Sequence, residues 1–165
     1  MDPVSVSVIV SAPRERVFAY LEDVANRPQF TGHWMTEWHL LRTDSVGRGA
    51  GARFRIKSPR LGRFKWGDLT LAEVESPARI VETGRTGKDN RIRTLATWRL
   101  DPASHGSTRV TLTLQTAPKT LVDKLLESFG GRRAAKRNGD RAMKRLRDIL
   151  EGSRAGGERI TVAGG

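Results

Sequence analysis

The sequence has no cysteine, a single tyrosine and three histidines in 165 residues. Without thiols there can be no disulfide, no thiolate nucleophile and no Cys-ligated zinc or iron–sulfur centre. The histidines, His33, His39 and His105, are scattered. No HExxH, no His pair at i,i+4 and no carboxylate cluster accompanies them, so no metal is expected. A P-loop, a dinucleotide-binding fingerprint and a nucleophile elbow are also missing, and no cofactor is expected. No stretch approaches the roughly 20 consecutive apolar residues that span a bilayer. The opening MDPVSVSVIVSAPRERVF lacks a basic start followed by an apolar block, which is not a secretory pattern. A soluble, cytoplasmic protein is the expectation.

Acidic residues are scarce relative to basic ones, 18 against 30, for a formal charge of +12. Such a balance fits an anionic partner: nucleic acid, an anionic lipid surface or an acidic ligand. Arginine accounts for 23 of the 30 and lysine for 7, which an Arg-, Ala- and Gly-rich compositional bias produces equally well. The composition, 37% hydrophobic and 29% charged, is that of an ordinary globular protein. The length suits one domain with a real core.

Residues 4–10 read VSVSVIV, an alternation that predicts a strand. Ser11 is an expected N-cap and Pro13 suits a first helical turn. Val17, Phe18, Leu21 and Val24 then recur at helical spacing, and a second short helix is expected from about Asn26 to Trp34. Six strands follow by their period of two, near residues 37–43, 52–57, 63–75, 79–85, 91–100 and 108–116. The apolar parity shifts between Phe64/Trp66 and Leu69/Leu71, which predicts a bulge at Gly67. Residues 119–151 carry one long helical pattern, expected to kink or fray at Gly130-Gly131 and Asn138-Gly139. A single domain over residues 1–151 and a flexible Gly-rich tail over 152–165 are expected.

An antiparallel sheet needs its apolar face covered, and only the last helix is long enough to do it. The expected architecture is α+β, with about seven strands in the order β-α-α-β6-α curved around that helix.

Several motifs carry a family resemblance. They are Ala12-Pro13 with Val17-Phe18, the run from Asp23 to Trp34, the strand-Pro-strand junction EVESPARI at residues 73–80, and the helix ending MKRLRDILE at residues 143–151. In this order and spacing they resemble the START-like superfamily. That superfamily includes the Bet v 1 proteins and the bacterial polyketide cyclase/dehydrase-like proteins. The resemblance covers about residues 3–151 and implies a helix-grip fold with a hollow between sheet and helix. It spans lipid carriers, hormone receptors, cyclases and co-chaperones, so it specifies no one activity.

The expected ligand cavity draws on Trp34, Phe54, Ile56, Phe64, Trp66, Trp98, Leu100, Leu112, Leu114 and Phe129. The alternative is that these large side chains fill the space. Asp68 and His33 are the candidate catalytic groups. If Asp68 points inward beside Trp66, burial would raise its pKa and make it a proton carrier; if outward, it pairs with a neighbouring arginine. His33 is otherwise a surface or packing histidine. Cyclase-type relatives imply pocket Arg, Tyr and Trp groups holding phenolate and carbonyl oxygens, and here the lone Tyr20 lies in the first helix. The basic residues Arg132, Arg133, Lys136 and Arg137 could make weak anionic-surface contacts. Sequence-specific nucleic-acid readout is not expected, for want of interleaved aromatics or a recognition motif.

The leading expectation is binding of a small hydrophobic or amphipathic molecule, lipid or polyketide-like, in an internal cavity. The turns at residues 46–51 and 86–90, together with the second short helix, would gate it. A cofactor-independent polyketide cyclase or dehydratase and a basic interaction module are the alternatives. A monomer and a homodimer are equally compatible with the sequence.

Overall fold

The computed structural model describes residues 3–57, 64–87, 90–117 and 131–152. Strand β1 (Val4–Val10) leads into α1 (Arg14–Glu22), a short 3-10 turn (Val24–Asn26) and α2 (Arg27–Thr31). Strands β2 (Met35–Leu40), β3 (Gly51–Lys57), β4 (Phe64–Glu75), β5 (Arg79–Thr86), β6 (Ile92–Pro102) and β7 (Thr108–Ala117) follow, and then α3 (Gly131–Leu150). The seven strands form one sheet in the order β1-β7-β6-β5-β4-β3-β2. Every neighbouring pair is antiparallel. The sheet curls into a half-barrel around the C-terminal helix, which is the expected helix-grip, α+β arrangement. Among the described residues no helix is long and apolar enough to cross a membrane.

Alternation sorts each strand into two faces. Val4, Val6 and Val10 are buried while Ser5 and Ser7 are exposed. Register carries that choice across the sheet: Val6 lies opposite Leu112, Leu112 opposite Trp98, and Trp98 opposite Ile80. These residues form the concave face. Val17, Phe18 and Leu21 of α1 and Ala142, Met143, Leu146 and Leu150 of α3 complete one core.

Three local expectations are corrected. The register of β3 with β4 runs unbroken through Gly67, and the irregularity in β4 falls between Leu71 and Glu73. Gly67 answers to packing instead, since a Cβ there would come 2.9 Å from Cε2 of Phe54. Ser11 does not cap α1; Pro13 holds the N-cap position, and the Ser11 N–H donates to Glu151 Oε1 at 2.8 Å. Helix α3 is continuous through Asn138-Gly139 over its 20 residues. Gly139 is buried under β1, where a Cβ would stand 3.1 Å from Val6 Cγ2. The glycine serves close helix–sheet approach, which outweighs its poor helix propensity. The expected helical residues 119–130 and the expected tail at 153–165 lie outside the described residues.

Candidate functional site

Helix α2 is five residues long and begins at Arg27, with Pro28 in its first turn. Its position over the concave face buries Arg27 to 2% exposure. Arg27 reaches β5, where Nη2 donates to Glu82 Oε1. The same oxygen accepts from Trp98 Nε1 on β6 at 2.8 Å. The guanidinium carbon sits 4.8 Å from the Trp98 ring centroid and 5.7 Å from that of Phe30. Phe30 meets Trp98 edge-on at 6.1 Å. The result is a cation held between two rings and one carboxylate, away from water. Arg27 Nε and Nη1 are buried and have no hydrogen-bond partner among the described residues.

This assembly forms part of the wall of a cavity of about 190 Å³. The sheet supplies Phe54, Ile56, Leu69, Ala96, Trp98, Leu112 and Leu114; α2 and α3 supply Arg27, Phe30, Thr31, Ala135, Gly139 and Ala142. Trp34, Met35 and Trp38 close the side nearest β2. Trp34 Nε1 is a further buried donor without a partner among the described residues. The remaining polar wall is Thr83, Thr86, Thr94 and Thr116, with Asp68 and Arg85.

Of the residues expected around the hollow, Trp34, Phe54, Ile56, Trp98, Leu112 and Leu114 stand in this wall. Leu100 does not: it is fully buried in the core, opposite Val110. Trp66 is placed on the other face. It lies opposite Arg55 in register, with the Arg53 and Arg55 guanidinium carbons 4.6 and 4.8 Å from its ring centroid. With no bulge at Gly67, parity sends Trp66 and Leu69 to opposite faces. Phe129 and the side chain of Phe64 lie outside the described residues.

Asp68 follows the parity of Trp66. Its Oδ1 accepts from the Arg85 N–H at 2.9 Å, so the carboxylate caps a strand amide. The residue borders both the cavity and a wider groove of about 630 Å³, shared with Thr70, Arg85, Arg93, Leu95 and Gln115. His33 packs beneath α3, with Nε2 3.2 Å from the Asn138 carbonyl oxygen and Nδ1 3.4 Å from Arg145 Nη1. The neutral ring with its proton on Nε2 satisfies both contacts. Partial burial, and then the charges of Arg145 and Arg141, hold its pKa below the usual histidine value. Arg132, Arg133, Lys136 and Arg137 are exposed along α3, and Lys136 pairs with Asp140 at 3.4 Å.

Sequence reasoning missed Arg27 and Glu82. Arg27 is one arginine among 23, and nothing local marks it as buried. Glu82 had a readable signal: it shares the parity of the apolar Ile80, so the alternation alone turns a carboxylate toward the core.

Residues 1–151 match the family described as polyketide cyclase / dehydrase and lipid transport. The chain belongs to that family. Solved structures share the fold at low identity. The KanY protein superposes with a TM-score of 0.71 at 18% identity, covering 91% of this chain and 97% of its own. TTHA0849 from Thermus thermophilus gives 0.69 at 16%, covering 93% and 99%. DynU16, from the dynemicin biosynthetic locus, gives 0.61 at 18% and covers 93% of this chain, which spans only 48% of DynU16. No match was found among curated proteins.

Proposed function

We propose that this family member binds a small, mainly apolar molecule in the cavity between the sheet and helices α2 and α3. The observation that carries the reading is the cavity of about 190 Å³ itself, walled by aromatic and aliphatic side chains with few polar groups. Apolar burial would drive binding at roughly 25 cal/mol per Å² removed from water, and the polar groups would set orientation. The family description, with its cyclase/dehydrase and lipid-transport members, and the biosynthetic-locus origin of DynU16 support a lipid or polyketide-like chemistry.

Turnover is the second reading. Arg27, Glu82 and Asp68 favour it, as charged groups on the cavity wall, although the Asp68 carboxylate also accepts from the Arg85 N–H; His33 is engaged elsewhere, with Asn138 and Arg145. The test is native mass spectrometry of the protein purified from its own host, followed by organic extraction. A stoichiometric small molecule is the expected result, and a cyclised product would favour turnover. A bare protein mass, with no uptake of fatty acids or single-ring aromatics on challenge, would sink the cavity reading.

A further inference from the structure

The outer face of the sheet is rich in arginine, and most of these arginines have an acid beside them. Arg55 pairs with Glu37, Arg79 with Glu73 and Glu75, and Arg99 with Asp101. Arg109 stands opposite Asp101 in register. One cross-strand row departs from this pattern. Arg53, Asp68, Arg85 and Arg93 face one another in turn on β3, β4, β5 and β6. Three cations share one carboxylate there, a surplus of two positive charges. Asp68 Oδ1 accepts from the Arg85 backbone N–H, and the Arg53 guanidinium rests on Trp66. Among the described residues no ion pair reaches Arg53, Arg85 or Arg93.

Arg85 and Arg93 lie directly opposite each other, and like charges so placed destabilise a sheet. Arg79 and Arg99 are opposed in the same way, but Glu73, Glu75 and Asp101 bind them. The Arg85–Arg93 pair has a groove beside it instead, of about 630 Å³. That lies within the ~300–1,000 Å³ of small-molecule sites. Thr70, Thr83 and Gln115 give the groove hydrogen-bonding groups, and the exposed Leu95 gives it an apolar side chain. Asp68 and Arg85 border the inner cavity as well, whereas Arg93 borders the groove alone. Within the cavity Arg27 and Glu82 compensate each other, so the surplus on the outer row is not cancelled from inside.

Charge and shape choose the anion. A carboxylate or a sulfate ester carries one negative charge, and a phosphomonoester carries nearly two at neutral pH. Its three terminal oxygens accept from two guanidinium forks at once. We propose that the groove binds a phosphomonoester group, held between the Arg85 and Arg93 guanidinium groups. The site is independent of the cavity-binding reading above.

The test is a protein-observed NMR titration at low salt with phenyl phosphate and phenyl sulfate, two esters of one shape that differ in charge. Phenyl phosphate is expected to bind about tenfold more tightly than phenyl sulfate and to shift the Arg85 and Arg93 Nε–H resonances. Its affinity should fall as pH drops through about 6, where the phosphate loses its second charge. Arg93→Gln should weaken it about tenfold. Arg99→Gln removes the same charge from the same face, beside Asp101, and should leave binding within about twofold. Both positions are exposed, and the comparison of the two esters needs no variant. Sedimentation with phosphatidylcholine vesicles, with and without phosphatidate, separates the two sources of the group. Retention by phosphatidate that Arg93→Gln abolishes assigns it to a lipid headgroup; no retention, with phenyl phosphate bound, assigns it to a soluble ester. If phenyl sulfate binds as tightly as phenyl phosphate, the site does not select a dianion and the assignment is wrong. If Arg99→Gln weakens binding as much as Arg93→Gln, the overall charge of +12 attracts the ester and there is no site. If phenyl phosphate shifts the Trp98 Nε–H and neither arginine, it occupies the cavity and the groove site falls.

Discussion

Two arginine-on-tryptophan assemblies stand on opposite faces of one sheet. Inside, Arg27 lies 4.8 Å from the Trp98 ring centroid; outside, Arg53 and Arg55 lie 4.6 and 4.8 Å from that of Trp66. The ring geometry is nearly the same, and the surroundings are not. The inner guanidinium is 2% exposed and bound to a carboxylate that is itself buried. On the outer face Arg55 is 34% exposed and its partner Glu37 is 47% exposed. Water competes for the outer ion pair far more than for the inner one. Distance alone therefore does not rank these contacts; desolvation does.

The largest expected effect follows from breaking only one side of the inner pair. Arg27→Met leaves the Glu82 carboxylate buried without its cation, at a cost of about 3–5 kcal/mol in chemical denaturation. Adding Glu82→Leu removes the stranded charge and should restore most of that loss. If Arg27→Met is as stable as the unmodified protein, the pair is not desolvated in solution and the contrast between the faces collapses. Matched substitutions of the two tryptophans sharpen it. Trp98→Phe deletes the 2.8 Å donor to Glu82 and should cost about 1.5–3 kcal/mol. Trp66→Phe keeps a ring beneath two solvated arginines and should cost under about 1 kcal/mol. Equal losses from these two variants would mean that burial does not set the difference.

Much of this contrast was legible before folding, and the part that was not has a specific cause. The alternation at Val4, Val6 and Val10 fixed the inward set of β1, and the strand and helix order was enough for the helix-grip arrangement. The misplacement of Trp66 came from a glycine read by its local meaning. Gly67 could mark a bulge or a close approach, and the Phe54 ring that demands the close approach lies on another strand. Gly139 posed the same ambiguity, resolved by Val6 far away in sequence. Five of the expected cavity residues, Phe54, Ile56, Trp98, Leu112 and Leu114, line the wall because strand parity places them there, and Trp34 joins them from the turn before β2. The ion pair was not legible as a pair, since 55 residues separate its partners and only the tertiary fold brings α2 over β5.

His33 lies between the two extremes, half-buried at the edge of the core, with Trp34 beside it and the arginines of α3 above. Its pKa is lowered in the folded protein, first by burial and then by the Arg145 and Arg141 charges. The unfolded chain therefore takes up the proton at higher pH than the folded one. Stability gained from the neutral ring is present above the unfolded value of 6.5 and is lost as pH falls through the folded value below it. Protonation also ends the acceptance at Nδ1 from Arg145. Carboxylates elsewhere titrate in the acid range too, so the informative quantity is a difference between proteins. The stability advantage of the unmodified protein over His33→Gln should shrink as pH falls from about 7 toward about 5. The effect should be the smallest of those above, because solvent screens a ring this exposed. An advantage that stays constant across that range would place His33 with the solvated outer face instead of at its boundary.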